Sequence, residues 1–589
     1  MFDIIRESSF GERINWISGG RLLPYAEQRS DFIVPAQYLL STTPASAPDD
    51  SEEPTRANSI EQLDPVTRVN SKDRTLDEKK SEREFDPLPV EPRELEAGEL
   101  KKAGEERDLN PVEEVEISEH IIVDWYGPDD PANPRNWSSG KRHFVLGIIC
   151  VLTFSIYMGS AIYTASIPYL LEEFHISLVV ATLGLTLYVL AYGIGPMLFS
   201  PLQELPSWGR NPVYIFTAFI FVVLQVPTAL AKNIAGLLVL RFLGGFFASP
   251  ALATGGASVG DIYQPQHLPY ALSLWAFGAV CGPVAGPIVG SFAAASRGFI
   301  GGWRIPIWEL MWAAGFASLM ILFFLPETLP DTILLKRAQR LRKLTGNDKL
   351  RSMSEIKQAE MSTSAVMKEY LVRPFQLMLE PAVLFLNIYL GLAYSIFYLW
   401  FEAFPIVFDG IYGFKAGIDG LPYIGIIIGT FVALVINAAW NKFYIERLYM
   451  KGQPVAPEER LKLALFAGIM IPISLLIFGW TSRHNVHWSG PIIGAGIYMP
   501  GIFLLFQCFL IYLPMSYPNY AASVLAGNDF VRSSMASVFP LFGRPFFKHL
   551  GVGGGSSLLA GLSALMIPAL WLLIRRGPQL RAMSRYATA

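Results

Sequence analysis

The sequence predicts an all-α polytopic membrane protein built from two six-helix halves. Of its 589 residues, 52% are hydrophobic and only 16% are charged, whereas a soluble chain carries about a quarter charged residues. From Phe144 onward, apolar runs of about 20 residues recur, which is the length an α-helix needs to cross a hydrocarbon core of about 30 Å. About twelve such runs are present, so a soluble enzyme is excluded.

The predicted spans form two groups of six around a polar stretch. They lie at 144–166, 178–200, 212–231, 236–260, 268–293 and 303–325, and then at 377–404, 415–438, 461–480, 489–512, 517–543 and 552–574. This grouping divides the chain into five parts. They are an N-terminal cytoplasmic region that is mostly disordered (1–140), a six-helix half (141–326), a cytoplasmic linker (327–375), a second six-helix half (376–575) and a cytoplasmic tail (576–589).

The charge distribution sets the expected topology. Residues 1–130 hold about 31 of the 50 acidic and about 15 of the 47 basic residues, and the stretch from about 40 to 120 is too polar to bury a core. We therefore expect that stretch to be disordered. The stretch 327–373 is rich in Lys and Arg, which places it in the cytoplasm by the positive-inside rule. An even number of spans then puts both termini in the cytoplasm.

The first 23 residues interleave apolar side chains with Arg6, Arg13 and Arg21. Two interpretations stay open. The segment is either an amphipathic helix on the anionic cytoplasmic leaflet or a short helix without a membrane role.

Few ionisable residues lie inside the predicted spans, and each is a functional candidate because burying a charge in a bilayer is costly. The candidates for transport and proton coupling are Arg241, Glu402, Asp529 and Arg532. Arg241 is either a coupling residue or a packing arginine bonded to backbone carbonyls. Glu402 is either a proton or cation site or a solvated vestibule carboxylate. Asp529 and Arg532 are three residues apart on one helix face, so they either pair with each other or serve the substrate cavity.

A second set of charges is expected at the cytoplasmic face of the first half. The stretch GPMLFSPLQELPSWGRNPVYI carries Glu204, Gly209 and Arg210, and Asp261 lies near the end of the fourth span. Helix ends and a tight loop bring these opposite charges together, which suits a latch that breaks and re-forms as the halves move. The alternative is an ion cluster that only sets topology.

The fifth span carries a glycine every fourth residue. Gly278, Gly282, Gly286 and Gly290 therefore share one helix face, which lets a neighbouring helix approach closely. Pro283 and Pro287 remove backbone donors and are expected to bend the same helix. The pattern favours either a pivot used in transport or a simple packing groove.

These motifs together resemble the major facilitator superfamily, and in particular its fungal twelve-span drug:proton antiporters of the fluconazole-resistance and polyamine-exporter branch. The loop at Glu204–Arg210 resembles the family's cytoplasmic signature, although Glu stands where Asp is usual and Asn211 where a second base is usual. Arg241 to Gly245 resembles the fourth-span pattern, and GAVCGPVAGPIVG resembles the antiporter motif. Pro326-Glu327-Thr328 and the run from Asn519 to Phe542 resemble fungal members. The similarity covers roughly residues 135 to 575.

The resemblance implies a proton-coupled exporter of drugs or other amphipathic molecules that works by alternating access. Its partners are small-molecule substrates, protons and the lipid bilayer, and it is expected in the plasma membrane as a monomer. The alternative in the same fold is a dedicated exporter of one endogenous metabolite or polyamine. A membrane-embedded enzyme or a receptor is a more distant alternative.

Aromatic residues in three of the predicted spans suit an apolar cavity that selects compounds by area and π contacts. We expect the cavity to be lined by Tyr163, Tyr188, Tyr192, Tyr394, Phe397 and Tyr398.

Other chemistries lack their residues in the sequence. None of the seven His residues lies in the middle of a predicted span, so a metal site is not expected, and no GxxxxGK[ST] motif for ATP is present. The sequence offers no nucleophile with a base and no basic nucleic-acid patch, and we expect no cofactor.

Overall fold

The computed structural model describes residues 2–39, 120–296, 302–360, 372–451 and 455–587. Eleven helices within these ranges are long and apolar enough to cross a membrane. We number the first ten as spans 1 to 10. They are Ser139–Phe174, Leu178–Glu204, Arg210–Ala229, Ile234–Ile262, Leu268–Ala295, Arg304–Phe324, Pro381–Ile411, Ile418–Met450, Pro457–Thr481 and Ser489–Ser516. The stretch 40–119, predicted to be disordered, lies outside the described residues.

The last helix, Ala521–Met583, contains two spans. A straight helix of its 63 residues would extend about 95 Å, three times the thickness of the hydrocarbon core. The backbone leaves the helical region at Gly551, where φ is 70°, a conformation that glycine adopts without strain. The rings of Tyr520 and Tyr586, at opposite ends of this helix, lie 5.7 Å apart. The chain therefore turns back at Gly551 into spans 11 and 12, which confirms the twelve predicted crossings.

Several spans are composed of shorter helical pieces. Span 1 joins Ser139–Ala161 and Ile167–Phe174, span 2 joins Leu178–Ile194 and Pro196–Glu204, and span 4 joins Ile234–Ala253 and Gly255–Ile262. Span 7 is Pro381–Phe404 followed by a π-helical turn at Pro405–Ile411, and span 8 contains Ile424–Trp440 and Glu446–Met450.

Helix capping explains where spans 1, 2 and 4 begin. The side chains of Ser138, Ser177 and Asn233 each accept a hydrogen bond from the backbone N–H three residues later. Such caps satisfy donors that the first helical turn otherwise leaves unpaired. Span 1 consequently starts at Ser139, five residues before its apolar run.

The two halves meet along two pairs of helices. Span 5 packs on span 8, where the Asn437 amide donates to the Ser273 hydroxyl over 2.6 Å. Span 2 packs on span 11, where the Thr186 hydroxyl donates to the carbonyl of Ser537 over 2.8 Å. Each half thus supplies a wall to the space between them.

A small folded unit lies where the chain passes between the halves, and we call it the linker unit. It consists of residues 2–39, residues 121–137 and the linker segment 330–352. Its elements are the helices Phe2–Glu7, Ser9–Ile17 and Pro330–Thr345, and the parallel strands Ile121–Val123 and Leu350–Ser352, with a further helix at Met353–Glu360 after them. Tyr38, Val123, Ala338, Leu341 and Leu350 form its core.

The N-terminal segment therefore packs on the protein, a placement that neither interpretation of its sequence included. Its helices contact the linker and span 6: Glu12 pairs with Lys336 at 2.6 Å, and the ring of Phe10 lies 4.8 Å from that of Phe323. Amphipathic spacing shows that a helix has an apolar face but not what covers that face.

Arg337 is the central charge of the linker unit. Its guanidinium is 2% exposed and lies 2.7 Å from Asp130 and 3.3 Å from Glu27, which also pairs with Arg340 at 3.0 Å. Burial alone would raise the pKa of Glu27, but Arg340 and Arg337 hold that pKa below its usual range. Burial opposes the same shift at Asp130, where hydrogen bonds from Arg337 and from backbone N–H groups lower the pKa.

Acidification is expected to release residues 2–39 from the linker unit. Because the pKa values of Glu27 and Asp130 are lowered in the folded protein, their stabilising contribution is complete at neutral pH. It is lost only as the pH falls below about 4. Hydrogen exchange of the Ser9–Ile17 amides at pH 7 and pH 3.5 measures this, with span 7 amides as the internal control. Arg337→Ala should give the same loss of protection at pH 7, and unchanged protection in both cases would contradict the assignment.

Candidate functional site

Two cavities lie between the halves. We call the end of the bundle that carries the linker unit the linker end, and the opposite end the far end. An entrance chamber of about 390 Å³ lies at the linker end and is lined by residues of spans 2, 3, 4, 5, 10 and 11. A central chamber of about 40 Å³ lies nearer the middle, and Leu252, Phe506 and Arg532 line both. The entrance chamber has the size of a small-molecule site, whereas the central chamber has room for about one water.

Arg532 stands where the two chambers adjoin. It pairs with the carboxylate of Asp529, one helical turn earlier, as their spacing predicts. Its guanidinium lies 4.6 Å from the ring centre of Tyr394 and 5.1 Å from that of Phe506. The buried pair therefore brings a compensated charge and aromatic faces to the chamber wall.

Arg241 lies in the first half and is only 2% exposed. It donates to the backbone carbonyls of Gly184, Gly159 and Ser160 over 3.0, 2.9 and 3.3 Å. A guanidinium stays charged when buried, and three carbonyls supply the acceptors that it requires. This geometry is that of the packing arginine, with spans 1 and 2 clamped to span 4.

Tyr163 and Tyr188 correct one expectation about the cavity. Their rings lie 4.7 and 4.4 Å from the Arg241 guanidinium, and their hydroxyls donate to the carbonyls of Ala181 and Ile156. They lie inside the first half instead of lining the two chambers. The sequence showed aromatic residues in the correct spans, but not which side of each helix faces the cavity.

The other tyrosines connect the two halves through hydroxyl groups. The Tyr192 hydroxyl of span 2 lies 2.9 Å from that of Tyr394 and 3.2 Å from that of Tyr398, both in span 7. The Tyr398 hydroxyl donates to the Ser160 hydroxyl of span 1 over 3.1 Å. We call these four groups the hydroxyl chain. Of the predicted cavity residues, Tyr394 and Phe397 line the central chamber.

Glu402 lies toward the far end and is 2% exposed, which excludes a solvated vestibule carboxylate. It accepts a hydrogen bond from Arg544 of span 11 over 3.1 Å, and the Thr182 hydroxyl of span 2 lies beside the same carboxylate. Glu402 therefore ties the second half to the first at the far end.

Arg544 was missed because it lies just past the predicted end of span 11, where a base is typical of a loop. Span 11 continues beyond that point. A pair separated by 142 residues leaves no local signal in one sequence.

The charges that were predicted to form a latch lie together at the linker end. The Arg210 guanidinium lies 2.6 Å from Asp261, and the Thr328 hydroxyl donates to the same carboxylate over 3.3 Å. Glu204 lines the entrance chamber together with Arg210 and Asp261. Arg210 thus pairs with Asp261, and Glu204 borders the pair.

Glu327 lies in the same region, and the sequence predicts no role for it. Its buried carboxylate accepts backbone N–H bonds from Arg210, Asn211, Thr328 and Leu329 over 2.9 to 3.2 Å. It thereby holds the start of span 3 against the chain that leaves span 6. Gly209 has φ 75°, and a Cβ there would lie 2.5 Å from the Glu327 carboxylate. The glycine is required by both conformation and space.

The glycine face of span 5 packs against span 1, as the spacing predicts. A Cβ at Gly282 would lie 2.7 Å from the carbonyl oxygen of Phe154, one at Gly286 would lie 2.6 Å from the Ile162 nitrogen, and one at Gly290 would lie 2.8 Å from the Ile162 oxygen. Gly278 is less crowded, at 3.4 Å. Pro283 lines the central chamber, and the carbonyl of Pro287 would be 2.8 Å from a Cβ at Gly420 of span 8.

The geometry defines a class of protein. Two six-helix halves enclose chambers that lie toward one end, and buried polar contacts tie the halves together toward the other. This is the architecture of a secondary transporter that works by alternating access.

The chain belongs to the major facilitator superfamily, whose family model matches residues 149–540. It is 45% identical to transporter mfs1 of Schizosaccharomyces pombe, over 80% of this chain and 89% of the relative. It is 39% identical to the cycloheximide resistance protein of Candida maltosa over the full length of both. It is 41% identical to fluconazole resistance protein 1 of Saccharomyces cerevisiae, over 80% and 86%. The xylose transporter XylE of E. coli has the same fold, with a TM-score of 0.52 at 14% identity over 74% and 98% of the two chains.

Proposed function

We propose that the protein is a proton-coupled exporter of amphipathic, drug-like molecules in the plasma membrane, with both termini in the cytoplasm. The observation that carries the proposal is the pair of chambers that adjoin at Arg532 and lie toward the linker end. The basic linker supports a cytoplasmic position for that end, from which a substrate would enter the entrance chamber from inside the cell. The names of the relatives from Candida maltosa and Saccharomyces cerevisiae, which refer to drug resistance, support export.

Glu402 is the proposed proton site. Its buried carboxylate lies between Arg544 of its own half and Thr182 of the other half. The charge on Glu402 therefore affects how strongly the two halves are held together at the far end. Binding a proton at the carboxylate removes the negative charge that holds Arg544. The strength of the far-end contact then changes, so protonation of Glu402 is coupled to the movement of the halves. A proton that binds from outside while the far end is open, and leaves to the cytoplasm after the halves have moved back, travels in the direction opposite to the exported substrate.

The junction of the two chambers at Arg532 favours uncharged substrates. Apart from tyrosines, Arg532 is the ionisable residue that lines the central chamber. Asp529 compensates the charge of Arg532. The Tyr394 face that would attract a cation already carries the Arg532 guanidinium. A neutral aromatic molecule in the larger entrance chamber stacks on Phe506, which lines both chambers, without an uncompensated charge, whereas a polyamine finds no free carboxylate beside Arg532.

Glu402→Gln is expected to abolish proton-driven export, because a glutamine cannot take up and release a proton. We would measure uptake of an uncharged fluorescent aromatic compound, and of a cation of the same size, into inverted vesicles with an acidic interior. Wild-type uptake should favour the uncharged compound and collapse with a protonophore. Glu402→Gln should reduce it at least about tenfold, a barrier change of about 1.4 kcal/mol.

Glu309→Gln is the matched control, because Glu309 is another far-end carboxylate, in span 6, and it lines neither chamber. It should transport like the wild type. Uptake that survives the protonophore would exclude proton coupling, and full activity in Glu402→Gln would remove Glu402 from the mechanism.

A further inference from the structure

An amphipathic groove lies at the linker end between spans 1 and 5. It consists of two adjoining cavities of about 280 and 310 Å³ that share Arg142 and His267. Span 5 presents Leu268, Leu272 and Trp275 to the entrance chamber, but Ala271 and Leu274 to this groove. The groove is therefore separate from the substrate pathway.

The mouth of the groove is basic. It is lined by the basic side chains of Arg135, Arg142, His143 and His267, and by the carboxylate of Asp129. Within the part of the chain that the structure describes, neither arginine lies in an ion pair, and the buried Nε of Arg142 has no hydrogen-bond partner. The Arg142 guanidinium lies 5.7 Å from the ring centre of Tyr263. Arg142 thus holds an unused buried donor at this opening, and the exposed Arg135 lines the same opening.

The inner wall of the groove is apolar. Leu146, Ala271 and Leu274 line it, and Leu274 is 44% exposed on the outside of the bundle, where acyl chains surround the spans. Arg142 and Leu146 are one helical turn apart, so the wall changes from basic to apolar within about 6 Å along span 1. This gradient matches a phospholipid, whose phosphate is joined through a short glycerol ester unit to its hydrocarbon chains.

We propose that this groove binds an anionic phospholipid of the leaflet at the linker end. Arg135 and Arg142 hold the headgroup phosphate by charge-assisted hydrogen bonds, and Tyr263 and Tyr270 border it at the interface. The acyl chain follows Leu146 and Leu274 into the hydrocarbon. The bound lipid packs against span 1, the helix that receives the glycine face of span 5.

The test is a binding titration with the full-length protein in detergent micelles, using phosphatidylserine labelled on its acyl chain as the probe. Unlabelled phosphatidylserine should displace the probe, and phosphatidylcholine should displace it at least about tenfold less well. Inorganic phosphate at millimolar concentration should not displace it, because it lacks the acyl chain. Arg142→Gln should weaken binding about tenfold, and Arg135→Gln with Arg142→Gln should weaken it further.

Two further variants separate a lipid site from a general effect of charge. Arg483→Gln removes a far-end arginine that stacks on Trp480 at 4.7 Å, much as Arg142 stacks on Tyr263, and it should bind the probe like the wild type. Arg142→Lys keeps the charge and should bind with intermediate affinity, which shows that the groove is intact. Equal weakening by Arg483→Gln, or displacement by phosphate alone, would overturn the proposal. None of these measurements depends on transport.

Discussion

Arg241→Ala is expected to abolish transport and to lower the thermal stability of the purified protein. The variant removes a buried charge, which by itself eases membrane insertion, but it leaves the carbonyls of Gly184, Gly159 and Ser160 without their donor. A hydrogen bond from a charged donor contributes about 1.5–3 kcal/mol, so spans 1, 2 and 4 should lose their common clamp. Drug-resistance assays and melting in detergent measure the two effects.

Arg241→Lys should retain part of the activity, because a lysine keeps the charge but cannot reach three carbonyls in the fixed arrangement of a guanidinium. Arg304→Ala is the control. Arg304 pairs with Glu173 at a partly exposed position, where an ion pair contributes about 0–1 kcal/mol. Full transport and unchanged melting in Arg241→Ala would show that the clamp is dispensable.

Gly286→Leu is expected to block transport while leaving the protein inserted in the membrane. Even a Cβ at Gly286 would lie 2.6 Å from the Ile162 nitrogen and 3.0 Å from the Met158 oxygen. Both are backbone atoms, so a larger side chain must push span 1 away, at about 1–3 kcal/mol or more. That amount is enough to depopulate one of two nearly balanced conformers. Substrate binding to the purified variant, compared with vesicle uptake, separates lost alternation from lost binding.

Neighbouring glycines provide graded controls for this prediction. Gly278→Ala should be tolerated, because its Cβ would make an ordinary contact of 3.4 Å with the Cys150 carbonyl oxygen. Gly147→Leu in span 1 should be near neutral, since a Cβ there has no neighbour within 4 Å. Unimpaired uptake by Gly286→Leu would exclude span 5 as a closely packed pivot.

The spans and their grouping could be predicted because a bilayer leaves a simple record in the sequence: a spanning helix must be apolar for about 20 residues. The glycine face of span 5 could be predicted as well, since small residues at every fourth position specify close packing. The Asp529–Arg532 pair was predictable because it lies within one helical turn. In each case the determining pattern is local.

The partners of Arg241, Glu402 and Arg210 could not be predicted in the same way. The acceptors of Arg241 are backbone carbonyls, which every residue carries, so no side chain marks them. Arg544 is more than 100 residues from Glu402 in the sequence, and Glu327 is more than 100 residues from Arg210. The docking of residues 2–39 was hidden as well, because one amphipathic face fits a membrane surface and a protein surface alike.

The hydroxyl chain has a direction. The Ser160 hydroxyl donates to the carbonyl of Tyr157 over 2.9 Å, and Tyr398 donates to Ser160, so the single proton of each is committed. Tyr192 must then donate to Tyr398, and Tyr394 must donate to Tyr192, because each hydroxyl carries one hydrogen. Tyr394 stands first in this relay and receives a hydrogen from no other member. At the wall of the central chamber, the hydroxyl chain thus presents the free lone pairs of the Tyr394 oxygen. A molecule bound there can donate a hydrogen bond to Tyr394.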